Sequence, residues 1–201
     1  YGAVVVVCVL GHVQLIGHDG PIRVGSARQR RLLAALVAHL SSPVDAETLA
    51  ELVWDGPDGP ADPVGAVHTN LARLRRLLPP AVRIATASGG YQLLADRADV
   101  DTTAFADHIA AAARLDEPQD RLRELDAALA LWRGRPFAEL DHESVQPEIA
   151  RLTVLRADAT ERRAEALLAV GRIGEAIAEL EALIAAEPLR ESAVAVLMTA
   201  L

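Results

Sequence analysis

The hydrophobic period of this chain changes several times, and the order of those changes limits the fold more than any single motif does. The first stretch alternates like sheet: "VVVVCVL" (4–10), "VQLI" (13–16) and "PIRV" (21–24) are short and β-branched, with Gly-rich breaks and a turn signal at "GHDG". From Ser26 onward the period becomes helical. Ser26 caps a helix through "ARQRRLLAALVAHL", in which Leu32, Leu33, Leu36, Val37 and Leu40 share one face, and Pro43 ends it. Asp45 caps a second, short helix, "AETLAELVW", with Leu49, Leu52 and Val53 inward. The run "DGPDGPADP" (55–63), with three Pro and two Gly, reads as loop. A third helix, "AVHTNLARLRRLL" (66–78), follows. Its Val67, Leu71, Leu74 and Leu78 are spaced 4, 3 and 4 apart, which makes one buried stripe, and Pro79-Pro80 stops it. "VRIATASGGYQLLA" then predicts a β-hairpin: Val82 to Thr86, a Ser88-Gly89-Gly90 turn, and Tyr91 to Leu94. Beyond Asp99 every candidate element is helical: 102–115, 119–132, 145–170, 174–186 and 189–201.

With 201 residues, 51% of them hydrophobic, the chain can bury one or two real cores, and at 3% aromatic those cores must be built from Leu, Val and Ala. The single cysteine, Cys8, rules out a disulfide within the chain, and its apolar neighbours predict a buried, inert thiol. The run Val4–Leu10 is too short to span a bilayer, so the expectation is a soluble, cytoplasmic protein with no membrane partner. The chain opens on Tyr1 rather than Met and stops at "LMTAL" inside a helical pattern, so a fragment of a longer protein is expected.

All 20 basic residues are Arg. Without Lys there is no Walker A lysine, no Schiff-base lysine and no Ser–Lys dyad. None of His12, His18, His39, His68, His108 and His142 pairs with another His or Cys at metal-ligand spacing, and no Gly-rich phosphate loop occurs. The triplet Asp141-His142-Glu143 is a weak signal for a site, and Asp99 and Asp101 read as caps of the first helix of the second half. The expectation is a non-enzyme with no metal and no cofactor.

Charge is unevenly placed. The net charge of −8 divides into 8 Arg against 8 acids over 1–96, and 12 Arg against 20 acids over 97–201. That split, with the change of element type, predicts two domains, 1–96 and 97–201. Against this background Arg73, Arg75 and Arg76 stand together on the third helix. With the Leu stripe inward, His68, Thr69, Ala72, Arg73 and Arg76 lie on other faces and Arg75 lies toward a flank. Three Arg on an amphipathic helix form either a solvated face or a surface for phosphate and base edges. A second cluster, Arg28, Arg30 and Arg31, sits at a helix start, where the dipole disfavours cations. The reading preferred for it is solubilisation of that helix.

The order of strands, three helices and a hairpin resembles a winged helix-turn-helix of the OmpR type. The segments "RQRRLLAALVAH", "LAELVW", "LARLRRLL", "GGYQLLAD", "LALWRGRPF" and "EPLRE" are similar, in order and spacing, to the Streptomyces antibiotic regulatory protein family, whose second domain is the bacterial transcriptional activator domain. In that second half, Ala164, Leu167, Gly171, Ala176, Leu180, Leu183 and Pro188 fall at tetratricopeptide-like offsets. The implied fold is mostly α: a winged helix-turn-helix with small antiparallel sheets, then an all-α tetratricopeptide-like domain.

The resemblance implies a sequence-specific transcriptional activator of antibiotic and other secondary-metabolite genes, acting at the nucleoid. It implies promoter DNA bound in the major groove at direct repeats, a homodimer on DNA, and recruitment of RNA polymerase. His68, Thr69, Arg73, Arg75 and Arg76 would face the DNA, with Arg83 and Ser88 supporting from the wing, and Arg73 reading bases. Two alternatives stay open: a protein-interaction scaffold whose winged helix does not bind DNA, and the front end of a larger, ATPase-containing regulator.

Overall fold

The computed structural model describes residues 6–54 and 59–200. Val4 and Val5 of the first predicted strand, residues 55–58 of the predicted loop, and residue 201 of the last predicted helix lie outside the described residues.

The chain divides into two compact units that do not follow chain order. One comprises the residues up to Ala104 together with Arg133–Ala150; the other comprises Phe105–Trp132 and Arg151–Leu201. A boundary drawn at 96 assigns Arg133–Ala150 to the second half, whereas that segment packs with the first unit.

In the first unit, β1 (Val7–Cys8), β2 (Gln14–Gly17) and β3 (Gly20–Ile22) form an antiparallel sheet in chain order. Among the described residues, only a few of each predicted run pair within the sheet. Val7 pairs with Leu15, and Leu15 with Ile22. Three helices follow: α1 (Ala27–Ala38), α2 (Ala46–Val53) and α3 (Pro63–Leu77). Ser26 caps α1 through Gln29 N–H, and the Gln29 side chain returns to Ser26 N–H, a reciprocal capping box. Asp45 caps α2 at Thr48 N–H (2.7 Å), and these hydrogen bonds, the backbone one first, hold its carboxyl below the usual range.

α3 begins three residues before the predicted start. Pro63 takes the first helical position, where its missing N–H costs nothing, and Asp62 accepts from Gly65 N–H (2.8 Å). The hairpin is β4 (Arg83–Ala87) and β5 (Gly90–Leu94), with Arg83 opposite Leu94 and Thr86 opposite Tyr91. The core beneath these elements is Leu32, Leu33, Leu36, Leu49, Leu71, Leu74, Ile84 and Leu93, all buried.

Asp101 corrects an expectation. It stands at the start of α4 (Asp101–Ala112), yet its carboxylate is buried. Oδ2 accepts from Val9 N–H (2.8 Å), Leu10 N–H (2.8 Å) and Arg133 Nη2 (2.8 Å). The backbone of the Arg133 segment bonds the same stretch after β1: Arg133 N–H donates to Leu10 O (2.7 Å) and Phe137 N–H to Val9 O (2.7 Å). Glu139 then accepts from Val13 N–H. These bonds are why residues 133–150 belong to the first unit. Burial raises the Asp101 carboxyl despite the opposing hydrogen bonds and Arg133, and burial pushes the Cys8 thiol up to about 11.

In the second unit, α5 (Pro118–Ala130), α6 (Gln146–Ala169), α7 (Ile173–Ala186) and α8 (Glu191–Ala200) follow α4. Leu122, Ala164, Leu167, Ala176, Leu180, Leu183 and Ala193 form one apolar cluster; small Ala at the contacts lets the helices approach closely. Gly171, at φ 81°, makes the turn between α6 and α7. Arg190 pairs with Asp158 and Glu161 of α6 and with Glu187, fixing the start of α8. Leu189, Val194 and Met198 are exposed.

Candidate nucleic-acid interface

α3 carries three Arg and no acid over its 15 residues, and α1 likewise carries three Arg and no acid over 12. The compact unit as a whole holds 11 Arg against 14 Asp and Glu once residues 133–150 are counted with it. The two clusters differ in what their guanidinium groups meet.

The helix sorts its side chains by angle, at about 100° per residue. Val67, Leu71 and Leu74 are buried on the inward face. Thr69, Ala72, Arg73 and Arg76 are exposed and lie opposite them. Among the described residues, Arg73 and Arg76 make no hydrogen bond or ion pair. The Thr69 hydroxyl donates to Gly65 O (3.0 Å), which leaves its oxygen able to accept, and Asn70 Nδ2 donates to Ala66 O (2.8 Å).

Arg75 behaves differently. Its Nε donates to Ile84 O (3.0 Å), its Nη2 to Thr86 Oγ1 (3.1 Å), and its guanidinium lies 5.7 Å from the Tyr91 ring centre. His68, on the same flank, meets Tyr91 edge-on at 5.9 Å. Arg75 and His68 thus face the hairpin and stand apart from Thr69, Arg73 and Arg76. The hairpin is also held from the other side. Val44 and Tyr91 exchange backbone hydrogen bonds (2.9 and 2.8 Å), and Gln92 Nε2 donates to Leu40 O (3.2 Å). Gly90, at φ 143°, lies so close to the Val44 carbonyl that an added Cβ would sit 2.0 Å from its oxygen.

Ser88 is exposed at the hairpin tip, and Arg83 is exposed at its foot. The register places Arg83 and Leu94 on the opposite hairpin face from Thr86 and Tyr91, so Arg83 is not brought to the α3 surface.

The second Arg cluster has internal partners. Arg31 Nη1 donates to Val53 O at the end of α2 (3.1 Å), Arg30 Nη1 to Val24 O (3.3 Å), and Arg28 lies 6.0 Å from the Trp54 ring centre. Arg31 satisfies a terminal carbonyl of a helix other than its own, which residue spacing along α1 does not reveal. Tyr91, the anchor of Arg75, was missed as a site residue; its only local signal was its place after the "SGG" turn.

His142 accepts from Ser144 N–H and Asp141 pairs with Arg135, so that triplet serves local structure. Among the described residues no cluster of His, Cys, Asp and Glu could hold a metal ion, and no helix is long and apolar enough to cross a membrane.

A family model for the bacterial transcriptional activator domain matches residues 100–201. The chain belongs to the Streptomyces antibiotic regulatory protein family. It is 33% identical over 196 residues to the regulatory protein AfsR of Streptomyces griseus, covering 96% of this chain and 20% of that protein. It is 33% identical over 204 residues to the transcriptional regulatory protein EmbR of Mycobacterium tuberculosis, covering 96% and 52%. The solved structure of Mycobacterium tuberculosis EmbR in complex with a low-affinity phosphopeptide superimposes with a TM-score of 0.85 at 31% identity, over 97% of this chain and 54% of that one. The chain therefore spans about half the length of EmbR and a fifth of AfsR. The chain shares a mostly helical architecture with small antiparallel sheets in its first half.

Proposed function

We propose that the chain is a sequence-specific DNA-binding activator of transcription, with α3 entering the major groove. One observation carries this: Thr69, Arg73 and Arg76 share the outward face of α3, and neither Arg has a partner among the described residues. A buried Leu stripe behind them presents the two guanidinium groups without acidic neighbours on the same helix. Arg73, one turn after Thr69, pairs with a guanine edge; Thr69 meets a base edge or thymine methyl; Arg76 holds phosphate. Ser88 and the Gly89 turn bring backbone N–H groups to phosphate at the wing tip. Arg83 stands apart from this face and takes no part in the groove. The names of the relatives, all regulatory proteins, support the reading. Extended to the whole protein, it implies direct-repeat operators, a homodimer on DNA, contact with RNA polymerase, a cytoplasmic location at the nucleoid, and control of secondary-metabolite genes.

The test is DNA binding at several salt concentrations, using a duplex selected from a random library by the wild-type chain. Affinity should fall with log salt at a slope of about −0.9 per phosphate neutralised, and Arg76→Ala should reduce the slope by about 0.9. Arg73→Ala should lose about 1–3 kcal/mol of discrimination at one base pair. A salt-independent response, unchanged by both variants, refutes the reading and leaves the scaffold alternative.

A further inference from the structure

Three attachments on one guanidinium set Arg75 apart from the other cations of α3. Its Nε is spent on a backbone carbonyl of β4, its Nη2 on a β4 hydroxyl, and its face on the ring of Tyr91 in β5. It grips both strands of the hairpin at once. By helix angle it points about 100–160° away from Thr69, Arg73 and Arg76. The hairpin's other anchors, Val44 and Leu40, belong to the α1–α2 side. Arg75 is therefore the side chain that polar-bonds the wing to α3.

We propose that Arg75 is a wing-positioning residue. It does not read DNA; it fixes the β4–β5 hairpin at one angle to α3, so that base contacts by α3 and phosphate contacts by the wing tip are made at one spacing. The inference rests on the DNA-binding reading. The chemistry favours Arg specifically. A planar fork can give one N–H to Ile84 O and another to Thr86 Oγ1 while stacking on a ring, whereas a Lys ammonium carries the same charge without that geometry. His68, edge-on to the same ring, adds a second contact from α3 to Tyr91. Two operators with the same bases at different half-site geometry would then be told apart by the wing.

The roles of charge and fork separate by substitution, measured on the intact 201-residue chain with the library-selected duplex. Arg75→Lys keeps the charge and loses the fork. Thr86→Val keeps Arg75 whole and removes one acceptor. Each should weaken binding about tenfold, the worth of one hydrogen bond to a charged group. The salt slope should stay at the wild-type value, and the double variant should lose less than the product of the two, because both break one clamp. Thr86→Val, a small exposed change, guards against mere unfolding, and the helical circular dichroism of each variant should match the wild type. Arg75→Lys binding as well as wild type, or Arg75→Gln lowering the slope by about 0.9, would show a direct phosphate contact and overturn the proposal. Undiminished binding by Thr86→Val would also overturn it. A wild-type chain with no salt-dependent binding overturns the DNA reading and this inference together; the other outcomes overturn this inference alone.

Discussion

Replacing Asp101 with Ala should cost the first unit about 3–5 kcal/mol, and the structure supplies the reasoning. One buried carboxylate oxygen serves Val9 N–H, Leu10 N–H and Arg133. Its removal leaves two backbone N–H groups without an acceptor, at about 1–3 kcal/mol each. The loss of the ion pair adds less than a fully buried pair would, because the Arg133 side chain is 28% exposed and can turn to water. Against a typical total of about 5–15 kcal/mol, the change is large. Urea unfolding should show a midpoint lower by about 1.5–2.5 M for an m-value near 2 kcal/mol/M. Hydrogen exchange should localise the loss to the backbone around Val9–Gly11 and Arg133–Phe137, the two stretches that Asp101 joins. Asp101→Asn keeps a carbonyl acceptor and should cost about half as much. The carboxyl is raised by burial, so wild type binds a proton at higher pH when folded than when unfolded. Its stability relative to Asp101→Asn should therefore grow as pH falls through the window above about 3.9, and shrink as pH rises. A loss under about 1 kcal/mol in Asp101→Ala, or exchange spread evenly over the chain, would refute the reasoning.

Gly90→Ala should dislodge the wing, because its Cβ would overlap the Val44 carbonyl at a positive φ; loss of amide protection at Tyr91 with α1 unchanged is the expected result. Arg190→Ala leaves Asp158, Glu161 and Glu187 facing one another without a cation, so hydrogen exchange in α8 should rise sharply while α4 stays protected. With its thiol near 11 and buried, Cys8 should resist thiol reagents at pH 8 in the folded chain and react at once in denaturant; rapid labelling of native protein would contradict the burial.

Local rules carried much of the fold. Periodicity placed α1, α2, the hairpin and five later helices, since a Leu stripe or an alternating run is a property of neighbouring residues. Caps at Ser26 and Asp45 were legible for the same reason, while the start of α3 was not, because Pro63 looked like loop until Asp62 was seen to cap it. The outward face of Thr69, Arg73 and Arg76 followed from helix geometry alone.

Tertiary structure decided what each cation does. Nothing along α1 shows that Arg31 serves the end of α2, and the helix angle that puts Arg75 on a flank of α3 does not show what meets it there. The distinction comes from a hairpin that approaches one flank only. The division of the chain was equally hidden, for composition changes near residue 96 while backbone hydrogen bonds return residues 133–150 to the segment just after β1. Side-chain period depends on near neighbours and survives in the sequence; a donor's partner depends on which distant segment arrives beside it, and only the folded chain determines that.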